Sequence, residues 1–168
     1  MGRTNRLLSN FTNNIALTFK NTLYAKKSAV HTGIPIRQKK DYKIQKNKLK
    51  KILVVGGSQG AKIFGEIIPN IISQLNKRVK SKIFVIQQVR SNDHKQIEDH
   101  YKKMKVKYTL NEFFDDIYKE YNNADIVISR CGASTLAEID SFKKFSILFP
   151  LPSAINNHQY LNAIEFKK

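Results

Sequence analysis

The chain has 168 residues, 41% of them hydrophobic, which is room for one ordinary domain with a real core, or one domain plus a remnant of another. Thirty Lys and Arg against 13 Asp and Glu leave a formal charge of +17. That favours a polyanionic neighbour such as nucleic acid, anionic lipid or a diphosphate ligand, although an AT-rich coding sequence also enriches Lys, Asn and Ile without selection for binding. No apolar run reaches the about 18 residues of a membrane-spanning helix, no export signal opens the chain, and the lone Cys131 excludes an intrachain disulfide framework. The expectation is a soluble or peripheral protein of a reducing cytoplasm, without a Cys/His zinc site.

The first fifty residues carry little periodicity: a strand is expected over Ile15 to Phe19, a turn over His31 to Arg37, and an exposed Lys-rich linker from Gln38 onward. From Lys51 the pattern changes to short apolar runs alternating with helical stretches. Lys51 to Val55 reads as a strand, followed by the turn Gly56-Gly57-Ser58-Gln59-Gly60 and then by Phe64, Ile67, Ile68, Ile71, Ile72 and Leu75 at helical spacing, which predicts a helix over about 60–77. Further strands are expected at Ile83 to Ile86, Val106 to Thr109, Ile126 to Ser129 and Ser146 to Phe149, with helices near Asp93 to Met104 and Asp115 to Asn122. Near-continuous apolar strands separated by helices predict an α/β domain, a doubly wound parallel sheet of Rossmann-like form covered on both faces. Ligands of such sheets sit beyond the carboxyl ends of the strands, so the turns after Val55, Ser129 and Phe149 are the places where chemistry is expected.

All three turns carry unusual residues. Gly56 to Ala61 follows a strand and opens a helix, offering free backbone N–H groups and the positive helix end to a phosphate, with Ser58 as a hydroxyl donor or as an N-cap worth about 1 kcal/mol. It is neither a GxGxxG dinucleotide fingerprint nor a GxxxxGK[ST] loop, so nicotinamide and Walker-type nucleotide readings are weak. The stretch from Ser129 to Glu138 is a second such turn, in which Ser134 or Thr135 is expected to cap the helix. Glu138 stands one turn in, as a dipole partner or as a carboxylate for vicinal ribose hydroxyls. After Pro150-Leu151-Pro152, a helix expected from Asn156 brings amide and imidazole groups suited to a hydroxyl-rich ligand. His158 has no neighbouring acid to make it a nucleophile or metal ligand, and Cys131 is expected to be a small buried filler.

Taken together, Gly33-Ile34-Pro35-Ile36-Arg37, Gly56 to Ala61, Ala124 to Arg130, Gly132-Ala133-Ser134-Thr135 with Glu138, and His158 to Ala163 resemble the MurG family in order and spacing, over nearly the whole chain. That resemblance implies the C-terminal half of a two-domain GT-B glycosyltransferase. Such an enzyme is an inverting N-acetylglucosaminyltransferase that passes the sugar from UDP-N-acetylglucosamine to a lipid-linked muramyl-pentapeptide in peptidoglycan synthesis. It further implies a cell-wall enzyme tied to division and shape, cytoplasmic and peripheral at the inner face of the membrane, and using no metal at its donor site. By motif match, the donor-binding positions are Arg37, Ser58, Phe114 (its backbone meeting the uracil), Ala133, Ser134, Thr135, Leu136, Ala137 and Glu138 (the diphosphate and ribose loop), and Gln159 (the sugar). The implied organisation is 1–37 as remnant of the N-terminal domain and hinge, 38–50 as basic linker, and 51–168 as the UDP-sugar-binding domain. Departures are Ile34 where the family commonly has Asn, Cys131 where it has a small residue, and Asn157 near a common acid. The family's general base belongs to its N-terminal domain, so catalysis by these 168 residues is expected to need that domain. The competing expectations are a non-catalytic module whose basic Lys39 to Lys51 stretch meets anionic lipid, with nucleic acid less favoured, or an inactive remnant of a disrupted gene.

Overall fold

The protein is described by a computed structural model covering residues 1–38, 40, 42, 48–152 and 157–167, with the side chains at 58–61 outside the description. Much of the expected linker, the Ser58 hydroxyl and the expected helix start at Asn156 therefore lie outside the described residues.

Five strands form the main sheet: β3 (Lys50–Val55), β4 (Ile83–Gln88), β5 (Lys107–Asn111), β6 (Ile126–Arg130) and β7 (Phe145–Phe149). All pair in parallel, in the order β5-β4-β3-β6-β7. From β3 the chain steps outward through α2 (Gly57–Gln74), α3 (Lys77–Lys80), β4 and α4 (His94–Met104) to β5. It then returns through α5 (Ile117–Asn123) to the other side of β3 and continues by β6 and α6 (Ala133–Ser141) to β7. Because parallel crossovers keep one hand, this reversal sends the helices to opposite faces.

The alternation along each strand fills both faces. Val54 and Val85 point into a core with Phe64, Ile68 and Ile72 of α2 and Ile97 and Tyr101 of α4. Leu53, Ile86 and Val127 point into a second core with Tyr118 and Tyr121 of α5 and Ile139 of α6. Leu53 and Val54, neighbours in sequence, are both 0% exposed, which only a strand covered on two sides allows. One polar chain crosses the first core: the Tyr101 hydroxyl donates to Gln87 Oε1 at 2.5 Å, and Gln87 Nε2 donates to the Phe64 carbonyl at 3.1 Å.

Several boundaries differ from the sequence reading. The expected helix to Lys77 ends at Gln74, because Leu75 turns extended and the Asn76 side chain accepts from the Val79 N–H to start α3 afresh. The lead-in holds α1 (Arg3–Leu8), which apolar spacing did not signal. It also pairs β1 (Ala16–Leu17) with β2 (Val30–His31) in parallel, where a turn was expected over the latter's end. The last helix, α7 (His158–Phe166), starts after Asn157, whose φ of +52 is left-handed.

Candidate functional site

The strand order reverses between β3 and β6, and the loops leaving these two neighbours diverge to opposite faces, opening a crevice at their carboxyl ends. The first wall is Gly56-Gly57 and the start of α2. Gly57 has φ +68, a conformation that L side chains resist, so glycine is needed there by the backbone itself. The N-cap position of α2 is Gly56, with no side-chain cap, and Ser58 falls inside the first helical turn: the expected Ser58 cap is not the one used. The second wall is Cys131-Gly132 and the start of α6. Here Gly132 is the N-cap, extended at φ −67, with its carbonyl accepting from the Leu136 N–H. Ser134 and Thr135 therefore lie within the first turn and do not cap the helix, correcting the sequence expectation. Gly132 has ordinary dihedrals, and a Cβ there would meet only Thr135 Oγ1 at 3.7 Å, so its lack of a side chain serves open space beside the helix end rather than the backbone.

Both helix starts thus present backbone amides and positive dipole ends to one crevice, an arrangement suited to a diphosphate. Along α6, Ala133, Thr135 and Ala137 are half-buried, Ser134 is exposed, and Leu136 is buried in the packing. Glu138 is half-buried on the same helix. Burial lifts its carboxyl above the ordinary range, while a hydrogen bond with the Tyr121 hydroxyl and the charge of Arg37 pull the other way. Arg37, distant in sequence, is brought to Glu138 because its backbone N–H donates to the Tyr118 hydroxyl at 3.0 Å, pinning the chain to α5. Phe114, in the loop after β5, sinks its ring against the second core, so what it offers outward is backbone.

The third wall is α7. Gln159 Oε1 accepts from the Cys131 N–H at 3.3 Å and the Leu151 N–H at 3.0 Å, and Asn162 Nδ2 donates to the Cys131 carbonyl at 3.0 Å. One face of α7 therefore grips both backbone groups of Cys131. Burial pushes the Cys131 thiol up to about 11, in keeping with a buried filler. Arg130 closes the floor: its Nη1 donates to the Phe149 and Pro150 carbonyls at 3.3 and 3.1 Å, and its guanidinium lies 5.3 Å from the centre of the Phe64 ring.

The structure places Arg37 where its charge acts on Glu138, and Gln159 against the backbone just before α6. It holds Phe114 by its ring, and it leaves the Ser58 side chain outside the description. The roles of Arg130, Asn162, Tyr118 and Tyr121 in building the site were not read from sequence. Spacing could have signalled three of them, since Asn162 stands three residues from Gln159 and Tyr121 three from Tyr118, each pair on one helix face. A cavity of about 430 Å³ lined by Gly57, Gln88, Arg90 and Glu112 adjoins the crevice, whereas one of about 820 Å³ lies away from the glycine turns, between the lead-in and α7. No group of three or more His, Cys, Asp and Glu side chains with metal-holding geometry occurs among the described residues.

Comparison with known proteins meets this geometry. Residues 51–168 match the Glycosyltransferase family 28 C-terminal domain. The UDP-N-acetylglucosamine–N-acetylmuramyl-(pentapeptide) pyrophosphoryl-undecaprenol N-acetylglucosamine transferases of Rickettsia bellii and Rickettsia canadensis are 39% and 40% identical, each match covering 97% of this chain and 49% of the relative. The crystal structure of Acinetobacter baumannii MurG superposes with a TM-score of 0.76 at 30% identity, over 97% of this chain and 46% of that one. The chain spans about half the length of the curated relatives it matches, 49% in both. With a doubly wound sheet, paired glycine turns at its switch point and this match over residues 51–168, the chain belongs to glycosyltransferase family 28, as a homologue of the MurG C-terminal domain.

Proposed function

We propose that this chain is the donor-binding portion of an N-acetylglucosaminyltransferase, holding UDP-N-acetylglucosamine in the crevice between the starts of α2 and α6. The observation that carries the reading is the meeting of two helix N-termini at one switch point, with the half-buried Glu138, on which the charge of Arg37 acts, on the second of those helices. In this reading the amides at the two turns take the diphosphate, the Glu138 carboxylate accepts from ribose hydroxyls, the Phe114 backbone meets the uracil, and the Gln159 carboxamide faces the sugar. Residues 1–37 and 38–50 act as lead-in and linker to the binding domain that follows.

The chemistry proposed for the whole transferase is an inverting displacement. An acceptor hydroxyl oxygen forms the new bond to the anomeric carbon, the bond from that carbon to the UDP oxygen breaks, and the hydroxyl proton passes to a general base. This chain's share is the leaving group: helix ends and Arg37 stabilise the charge that grows on UDP, and they do so without a metal ion. The base and the contacts to a lipid-linked muramyl-pentapeptide acceptor are assigned to the N-terminal part of the architecture, working at the inner face of the membrane.

Isothermal titration of the chain with UDP-N-acetylglucosamine tests the reading. Saturable binding that weakens about tenfold or more in Glu138→Ala, the scale of one charged hydrogen bond, is expected. A wild-type chain giving no saturable UDP-dependent signal overturns it.

A further inference from the structure

Helix α5 contributes no residue to the walls of the crevice, yet it holds both charged side chains assigned to the donor. Tyr118 and Tyr121 stand three residues apart, on one face of the helix, and that face is sunk in the second core, where they are 5% and 1% exposed. Their rings are locked against Phe142, the residue that ends α6 one turn after Glu138. Tyr118 meets it edge-on with ring centres 5.2 Å apart, and Tyr121 stacks on it at 5.8 Å. Buried rings packed in this way have little room to turn.

The two hydroxyls serve different partners. That of Tyr118 accepts from the Arg37 N–H at 3.0 Å, whereas that of Tyr121 donates to the Glu138 carboxylate. α5 is itself held at each end. At its start Asp116 accepts from the Lys119 N–H at 3.3 Å and takes the Tyr42 hydroxyl on both carboxylate oxygens, at 2.8 and 2.9 Å. Near its end Asn122 Nδ2 donates to the Tyr42 carbonyl at 3.5 Å, and Lys144 Nζ donates to the Asn122 carbonyl at 2.8 Å. The chain that carries Arg37 is thus fastened to α5 twice, at Arg37 and again at Tyr42.

We infer that Tyr118 and Tyr121 are positioning residues that divide the donor between them: Tyr118 holds the backbone that carries Arg37, and Tyr121 fixes the Glu138 carboxylate in the orientation that accepts from the ribose hydroxyls. The inference rests on the donor reading above and names the groups that set its two charged contacts. A carboxylate has acceptor positions on both oxygens, so a buried phenol held on it leaves acceptor capacity for vicinal hydroxyls while stopping the group from swinging. Burial, followed by the Glu138 charge, raises the Tyr121 phenol above its ordinary value, so it remains a donor at neutral pH. A nucleotide without ribose hydroxyls gains nothing from that fixed carboxylate. The Arg37 charge acts on the diphosphate, which every UDP analogue retains, so Tyr118 is indifferent to the sugar hydroxyls.

Isothermal titration of the full chain with UDP and with 2′,3′-dideoxy-UDP tests the division. Wild type is expected to bind UDP about tenfold or more tightly than the dideoxy analogue. Tyr121→Phe keeps the ring on Phe142 and removes only the hydroxyl; it is expected to weaken UDP about tenfold, leave the analogue within about twofold, and so erase most of the preference. Tyr118→Phe, an equally small change in the same ring cluster, is expected to weaken both nucleotides by a common factor and keep the preference. A second readout needs no nucleotide: the Glu138 carboxyl, followed by NMR, should titrate at higher pH in Tyr121→Phe, because a hydrogen bond that favours its ionised form is gone. A thermal transition close to that of wild type shows each variant to be folded. If wild type prefers UDP and Tyr121→Phe keeps that preference, or if the Glu138 titration stays in place, the inference falls and the donor reading stands. A wild type that binds both nucleotides alike overturns the ribose contact of the donor reading and the inference with it.

Discussion

Replacing Gln159 by Ala should loosen the wall of the crevice without unfolding the sheet. Helix α7 has no fully buried residue, so its docking leans on polar contacts with the loops after β6 and β7. The Gln159 carbonyl accepts two of them. Cys131 is fully buried, and a buried N–H left without its acceptor costs about 1–3 kcal/mol. Leu151 as a residue is only partly buried, so water is taken to replace its acceptor, at a loss of about 0.5–1 kcal/mol. The sum, about 1.5–4 kcal/mol, is a large part of the roughly 5–15 kcal/mol that holds a domain together. Hydrogen exchange is the direct readout, because amide protection at Cys131 and Leu151 should fall by a factor of ten or more while Leu53 and Val127 in the central strands change little. Gln159→Glu keeps an acceptor at both N–H groups and should retain the protection, yet its negative charge should weaken UDP binding. If Gln159→Ala leaves exchange at Cys131 and Leu151 as in wild type, the carboxamide is not what holds the wall.

Four further outcomes follow from the geometry. Gly57→Ala forces a Cβ onto a residue at φ +68 and should destabilise by about 1–2 kcal/mol in chemical denaturation, even though no atom stands within 4 Å of the added methyl. Tyr101→Phe orphans Gln87 Oε1 in the core and should cost about 1–3 kcal/mol, whereas Tyr101→Phe combined with Gln87→Leu should recover part of that loss in a double-mutant cycle. Cys131, buried and with its thiol held up at about 11, should react with a maleimide at neutral pH only as fast as the protein opens, and rapid labelling in native buffer would contradict its place in the core. Glu138 has its folded pKa raised above 4.5, so the folded state holds its proton more tightly than the unfolded chain, and the stability this contributes below that value is lost as pH rises through the folded pKa. Donor binding runs oppositely: the ionised carboxylate is the hydroxyl acceptor, so affinity should decline as pH falls through that raised pKa, and Glu138→Gln should flatten the profile.

Local chemistry made most of the sheet readable from the residues alone. Runs such as Ile52 to Val55 and Ile126 to Ile128 have few other ways to bury a continuous apolar surface rich in β-branched residues, and the predicted strands at β3, β4, β5, β6 and β7 agree with the structure to within about two residues. Gly57 and the glycine turn after β6 were likewise visible, because strand-to-helix reversals need residues that tolerate unusual dihedrals or close approach. The helix starts were less legible. Ser58, Ser134 and Thr135 have the chemistry of caps, but whether a hydroxyl caps depends on where the backbone leaves the strand, and here glycine takes both N-cap positions. The two-residue strands of the lead-in are too short to show a period, and α1 buries nothing that would have marked a face.

The residues by themselves determined a parallel α/β sheet with polar, glycine-bearing turns, since strand and helix periods and glycine's freedom are properties of short segments. The strand order, and with it the crevice between β3 and β6, was decided only by the tertiary structure, because it depends on which way each crossover steps. The placing of Arg37 where its charge reaches Glu138 has the same origin, since the Arg37 N–H is held by the Tyr118 hydroxyl 81 residues away in sequence. So does the bond from the Tyr121 hydroxyl to Glu138, which needs α5 and α6 side by side although β6 separates them in sequence.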